Sequence, residues 1–490
     1  MPEPLLYEIS SPGRTGFSLP ALDVPEAALP EGLTRANAML PEVSEADVIR
    51  HYTRLSQYNF GVDLGMYPLG SCTMKYNPKV NEVAAQLPGF AGVHPYQAQE
   101  SQQGVLQLLF ELQTMLGEIA GLPAVTLQPA AGAHGELTGI LICRKALQAC
   151  GRCGRDTVLI PDSAHGTNPA TSAMSGFRVV QVRSDARGNV DLDDLRAKAG
   201  PSLVALMLTN PNTLGLFDEH VPEIAAIVHG AGGLLYGDGA NLNAIVGVAR
   251  PGDLGFDVIH MNLHTTFSTP HGGGGPGSGP VAVTGALADF LPSPVVVQRD
   301  GGYALSNPPA SIGRVKSFWG NAGVCIKAYT YIRMLGAAGL RQVAEDAVLN
   351  ANYLLAQLRD AYDLPYDRVC KHEFVLSGKR FAARGVHTLD IAKALMDRGF
   401  HPPTIYFPQI VPEAIMIEPT ETESRETLDA FAAAMLEIAA LAESDPEALH
   451  RAPEHTRMGR LDEVRAARQP VYRWTPRSQV NSLFDRSGRS

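Results

Sequence analysis

Asp238 ends an apolar run in "LLYGDGANLNA" (Leu234–Ala244), between two glycines, where a carboxylate is costly unless it is paired or exposed. Such a carboxylate can hold a proton on a ring nitrogen of a bound cofactor, ligate a metal, act as a general acid, or sit in a surface turn. A second stretch, "PDSAHGTNPA" (Pro161–Ala170), sets His165 in a polar, glycine-bearing loop after another apolar run. An imidazole there can stack on a planar ligand or move protons near neutral pH. In "PAAGAHGELTG" (Pro129–Gly139) the small residues Ala131, Gly132 and Ala133 open a helical pattern. Backbone N–H groups left free at such a helix start converge readily on an anion, although close helix packing selects the same residues. The segment is neither "GxGxxG" nor "GK[ST]", so a dinucleotide fold or a P-loop is unsupported.

The fourth stretch is "NLHTTFSTPHGGGGPGSG" (Asn262–Gly279), with Thr265 surrounded by His260, His264 and His271. Zinc would require these histidines to converge. The i,i+4 spacing in "HMNLH" suits a helix, whereas the segment reads as a strand leaving into a loop, and "HExxH" is absent. An anion-binding turn, a histidine loop, a strand-end aspartate and a glycine-rich loop together describe a pyridoxal phosphate pocket. One part is missing: the lysine that holds the aldehyde as a Schiff base and later moves protons. Lys75 in "YPLGSCTMKYNP" and Lys316 in "RVKSF" are the lysines that folding could bring in. Arg314 is a candidate carboxylate or phosphate partner, or a surface residue.

All four stretches depend on the same kind of element. "AVTLQP", "TVLIPD", "RVVQVRS", "LVALMLTNP", "GGLLYGDGA" and "FDVIHMNLH" are short apolar strand candidates separated by helical or polar-loop segments. That alternation predicts an α/β domain around a largely parallel sheet, with ligands gathering beyond the strands' carboxyl ends. Helices are expected over Glu42–Tyr52, over residues 99–120 and over Cys325–Leu358. "EFVLSG", "GVHTLDIAKALMDRGF" and "AIMIEPTE" then predict a smaller α+β region. The expected division is an arm over 1–60, a large α/β domain over 61–335, a small α+β domain over 336–450 and an extension over 451–490.

At 490 residues the chain exceeds the size of one core. Its 40 Lys plus Arg against 50 Asp plus Glu argue against a general nucleic-acid binder. Arginine is concentrated in the last 40 residues, with nine arginines against four acidic residues and no lysine; a partner-binding or core-wrapping extension and a partly ordered tail both fit. No apolar run is long enough to span a membrane. "MPEPLLYEIS" lacks the basic start and apolar stretch of a secretory signal, and a cytoplasmic location is the resulting expectation. Six cysteines are too few for a disulfide scaffold. "CGRC" at Cys150–Cys153 has redox or half-zinc spacing but no second pair, and is read as plain thiols.

The sequence closely resembles the pyridoxal phosphate-carrying subunit of two-subunit glycine dehydrogenase (decarboxylating), the P-protein of the glycine cleavage system. The resemblance rests on "VDLGMYPLGSCTMKYNPKVNE", "QPAAGAHGELTG", "DSAHGTNPA", "LTNPNTLGLFDE", "YGDGANLNA", "NLHTTFSTPHGGGGPGSGP", "HEFVLS", "GFHPPTIYFP", "MIEPTETES" and "RLDEVRAARQPVYRW", spread over residues 60–474. It implies an aspartate aminotransferase-like fold of type I. It further implies decarboxylation of glycine, transfer of the aminomethyl group to the lipoyl arm of the H-protein, and an α2β2 assembly with a homologous subunit 1. By the same resemblance Ala131, Gly132 and Ala133 form the phosphate cup, His165 stacks on the pyridine ring, Asp238 pairs with its nitrogen and His264 lines the cofactor. The family pattern at the loop reads Asn-Leu-His-Lys-Thr-Phe. Here it reads "NLHTTF", so Thr265 stands where the Schiff-base lysine belongs. A threonine hydroxyl cannot form that bond and is a poor proton carrier.

Overall fold

The computed structural model describes residues 3–30, 32–34, 38, 40–271 and 277–474, and the chain forms two compact units. The larger, Phe60–His450, contains the six expected strands: β1 (Ala124–Thr126), β2 (Thr157–Pro161), β3 (Arg178–Val182), β4 (Leu203–Thr209), β5 (Leu234–Gly239) and β6 (Val258–Met261). A seventh, β7 (Val281–Val283), completes a sheet of order β1-β7-β6-β5-β4-β2-β3. β7 runs antiparallel to both β1 and β6, while the remaining pairs are parallel. It was not among the expected strands; it directly follows the glycine-rich stretch that reads as a loop.

Every residue of β2, β4, β6 and β7 is buried, as a sheet covered by helices on both faces requires. On one face Ile140, Cys143 and Leu147 of the helix Gly132–Ala149 join Val158, Val204 and Tyr236. On the other, Val221, Ile224 and Val228 of the helix Val221–Gly230 meet Leu206, Leu208 and Leu235. The helix expected over 99–120 runs from Gln103 to Ala120 and packs its leucines against the first turns of the helix Ala322–Leu358.

Beyond the large sheet come a two-stranded ribbon, β8 (Val295–Arg299) and β9 (Gly302–Ser306), and then an antiparallel sheet. That small sheet holds β10 (Phe374–Ser377), β11 (Thr404–Ile405) and β12 (Ala414–Ile417) in the order β10-β12-β11. The helix Ala322–Leu358 is interrupted at Gly336, whose φ of 63° and ψ of −175° are non-helical. It also packs against the helix Arg425–Ser444, so one helix serves both sheets and residues 60–450 stay together.

The second unit joins the two ends of the chain, residues up to 59 and from 451. Its helix Glu45–Ser56 starts at Ser44, whose Oγ accepts from Asp47 N while Asp47 accepts in return from Ser44 N, both at 3.2 Å. Glu3 accepts from Arg54 and His51. Tyr7 stacks on Trp474 with centroids 4.8 Å apart, and Arg457 lies over the Tyr58 ring at 4.0 Å. Residues 475–490 of the arginine-rich extension lie outside the described residues, as do the glycines 272–275 of the long loop.

Candidate active site

The loops after β2, β5 and β6 and the start of the helix Gly132–Ala149 surround a cavity of about 400 Å³. Ser71, Gly132, Ala133, His165, Asn262 and Phe407 are among its walls. Larger grooves of about 610 and 970 Å³ run along the helix Gln103–Ala120, but their linings contain no histidine, aspartate or cysteine. Chemistry, rather than size, singles out the smaller cavity.

At its helix end Ala131 is the extended N-cap and offers no side-chain acceptor, so first-turn N–H groups are left for a ligand. The backbone comes close here. A Cβ on Gly132 would stand 2.5 Å from Asn262 Oδ1, and one on Gly279 would stand 2.1 Å from Ala131 O. Only glycine fits either position. Lys316 is near enough to His134, in that first turn, to lower its pKa together with the larger effect of burial.

At the strand end Asp238 is buried. Its Oδ2 accepts from His165 Nδ1 at 2.7 Å and from Asn168 Nδ2 at 2.9 Å, and its Oδ1 accepts from Ala240 N at 3.0 Å. His260 Nε2 lies 3.3 Å from Oδ1, and His260 Nδ1 bonds to Tyr236 OH at 2.8 Å. Burial alone would raise Asp238, but the charges of His165 and His260 outweigh it and hold the carboxyl far below the ordinary range. Burial likewise works against the His165 cation, yet Asp238 lifts that imidazole to about 9. Glu136 gives the contrast: burial and the Asp238 charge raise it, against donors that are hydroxyls and an amide.

Thr265 is buried, and its hydroxyl lies against the carbonyl oxygens of Ala240 and Asn262, 3.0 Å from the latter. The side chain is thus turned back into its own backbone and is not part of the cavity lining. Lys75 is close but committed. Its Nζ donates to Asn243 Oδ1 at 2.8 Å, Thr266 O at 2.9 Å and Glu421 Oε1 at 2.8 Å, with the Tyr331 ring 5.3 Å away. Burial disfavours this charge, but Glu421 more than restores it and the pKa is raised. Neither Lys75 nor Lys316 lines the cavity, and Arg314 is exposed.

His264 lines the cavity, accepts from Ser278 N at 3.3 Å, and is pulled down to about 4 by burial and by His271. Its ring meets His271 edge-on at 4.7 Å. His260, His264 and His271 do not converge as a ligand set among the described residues; His260 instead groups with Glu136 and Asp238. Sequence reasoning gave no cofactor role to Glu136, Asn168, His260 or Asn262. Two of them carried a signal. Glu136 is i+4 from Gly132, hence on the cup's own helix face, and Asn168 follows His165 by three residues. Ser71 and Phe407 arrive from distant segments and had none.

One buried atom in the cavity wall supports a bound group: Asn262 Oδ1 has no hydrogen-bond partner, and orphaned buried polar atoms are uncommon. An anion cup at one end and an ionised carboxylate at the other suit a molecule with a phosphate and a protonated ring nitrogen. With the strand order and helical layers, this defines an aspartate aminotransferase-like, fold-type-I pyridoxal phosphate-dependent enzyme.

Comparison with known proteins narrows the class. The family model described as glycine cleavage system P-protein matches residues 20–301, and that of the glycine dehydrogenase C-terminal domain matches residues 343–452. Probable glycine dehydrogenase (decarboxylating) subunit 2 of Desulforamulus reducens is 60% identical over 97% of this chain and 100% of that protein. The protein of the same description from Listeria innocua is 60% identical over 96% of this chain and 98% of its own length. A crystal structure of glycine decarboxylase (P-protein) of the glycine cleavage system, in inhibitor-bound form, superposes with a TM-score of 0.68 at 26% identity, covering 86% of this chain and 92% of that one. A sphingosine-1-phosphate lyase from Burkholderia pseudomallei shares the fold at 15% identity, with a TM-score of 0.62 over 88% of this chain and 95% of its own. The chain belongs to the glycine cleavage system P-protein family, in its subunit 2 branch.

Proposed function

We propose that this chain is the cofactor-carrying subunit of a glycine dehydrogenase (decarboxylating), releasing CO2 from glycine and passing the aminomethyl group to the lipoyl arm of the H-protein. When bound, pyridoxal phosphate supplies the electron sink for the pair left as the C–COO bond breaks. The first-turn N–H groups around Ala131, Gly132 and Ala133 receive its phosphate. Asp238, kept ionised, would accept from the ring nitrogen and so hold a proton there. His165, held at its Nδ1 by Asp238, would be the residue set against the ring, while His264 and Asn262 shape the remaining wall. The homologous subunit 1, in an α2β2 assembly, and the lipoylated H-protein are the partners this reading requires. A cytoplasmic setting is consistent with six unpaired cysteines. Among the described residues no helix is long and apolar enough to cross a membrane.

The observation that carries the reading is a fully buried Asp238 held as an anion between two imidazoles at the end of β5. Titrating the protein with pyridoxal phosphate by absorbance, followed by borohydride reduction and peptide mass analysis, tests it. Saturable binding with no labelled lysine is the expected result. Failure to bind the cofactor at all would remove the pocket assignment. A second reading, a catalytically weak or silent homologue with a structural or regulatory role, is favoured by one fact: among the described residues no lysine lines the cavity. Glycine-dependent CO2 exchange in the presence of subunit 1 and the H-protein separates the two.

A further inference from the structure

Behind the Ser71 wall of the cavity lies a second buried cluster that the cofactor reading leaves unused. Glu373 immediately precedes β10 and Glu418 immediately follows β12. The antiparallel register pairs Phe374 with Ile417, so the two glutamates stand opposite each other at the next position. Like charges directly opposite on neighbouring strands are unfavourable, more so when buried without a counter-ion. Glu373 is 3% exposed, Glu418 0% and the adjacent His372 2%. No lysine or arginine pairs with either carboxylate among the described residues; the nearby Lys75 is spent on Glu421.

The three side chains each offer one ligand atom within 4.8 Å of the others. His372 Nε2 is 3.8 Å from Glu373 Oε1, and His372 Nδ1 is buried with no hydrogen-bond partner. The surrounding donors hold the carboxylates in place. Ser71 N donates to Glu373 Oε2 at 2.7 Å, leaving Oε1 free. Thr73 N donates to Glu418 Oε2 at 3.1 Å, while Thr73 Oγ1 and Asn241 Nδ2 donate to its Oε1 at 2.6 and 3.0 Å. Donors of this kind orient the carboxylates of metal sites. Ser71 and Thr73 both take left-handed backbone angles, φ 67° and 36°, to aim their N–H groups this way.

We propose that His372, Glu373 and Glu418 bind one divalent cation of the zinc or manganese class, as a structural site separate from the cofactor pocket. One imidazole and two carboxylates suit such an ion better than a thiophilic one. A dication neutralises the facing pair and ties the small sheet to the Gly70–Thr73 segment, whose Ser71 is part of the cavity wall. Its role is to fix that wall.

The test uses the full-length chain carrying Cys150→Ser and Cys153→Ser, which removes the exposed "CGRC" thiols as a competing site. After incubation with Zn²⁺ or Mn²⁺ and gel filtration, metal analysis should find about one equivalent per chain, with and without pyridoxal phosphate. Glu373→Gln and Glu418→Gln should each weaken binding by about 100-fold or more. Because either variant risks misfolding, Co²⁺ loading of the parent gives an independent reading. A visible spectrum with nitrogen and oxygen ligands and no thiolate charge-transfer band is expected. A thiolate band, no retained metal, or unchanged stoichiometry in a folded Glu373→Gln protein would each overturn the site, leaving the carboxyl pair to share a proton instead.

Discussion

The two ends of the cofactor cavity differ in how their polar groups are used. At the ring end the carboxylate is wired: Asp238 takes hydrogen bonds from His165, Asn168 and the Ala240 amide and faces His260. At the end where the family places an amine, the Thr265 hydroxyl turns away toward the Ala240 and Asn262 carbonyls. The neighbouring Lys75, which donates to Thr266 O, has its three protons assigned to other acceptors. In the proposed reading, binding and covalent attachment are therefore separable. The ring end builds affinity from pre-set charges, and the other end is decided by a single side chain.

The strongest way to break the contrast is to restore the amine. Thr265→Lys places a side chain beside Ala240, which borders the cavity. It should raise glycine-dependent CO2 exchange by about 10²- to 10⁴-fold and create a borohydride-reducible lysine; equal rates in both proteins would show that position 265 is not the lesion. Next in size, Lys75→Met strips a buried pair and leaves Glu421 uncompensated, a loss of about 3–5 kcal/mol seen in chemical denaturation. Glu421→Gln in the same chain should recover part of it, and cofactor labelling should not change. If Lys75→Met abolishes a lysine adduct seen in the parent, Lys75 is an amine donor and not a clamp.

A smaller effect is expected at the ring end itself. Asp238→Asn removes a charged acceptor and should weaken pyridoxal phosphate binding by about 10- to 100-fold, measured by fluorescence titration; unchanged affinity would take the ring nitrogen away from Asp238. A separate test is pH. The folded chain holds the His165 proton to about 9 against an ordinary 6.5, so its stabilisation is complete below pH 6.5 and fades as pH rises through 9. The loss is at most about 3 kcal/mol, and it belongs to the His165–Asp238 pair jointly. A His165→Asn variant should flatten denaturation midpoints between those limits.

The strands that present chemistry were legible because each is an apolar run broken by residues that no core requires. β2, β4, β5 and β6 lie where the runs placed them, with His165 on the expected loop and Asp238 at the expected strand end. β7, directly after the glycine-rich stretch, was not among the expected strands. The three histidines around Thr265 illustrate the opposite limit: their spacing allowed a metal site, and only the path of the chain separated His260 from His264 and His271. The approach of Ser71 and Phe407 to the cavity depends on segments more than 300 residues apart, a separation that local patterns do not encode.

Residue type and order alone determined the fold class, the family and the absence of an amine at position 265, since all three depend on side-chain chemistry and short-range periodicity. Tertiary structure decided the electrostatics. Whether Asp238 is an anion, His165 a cation or Lys75 a free amine depends on which groups surround each one after burial. Desolvation makes a buried charge costly, and partners a few ångströms away, contributed by distant parts of the chain, determine whether it survives.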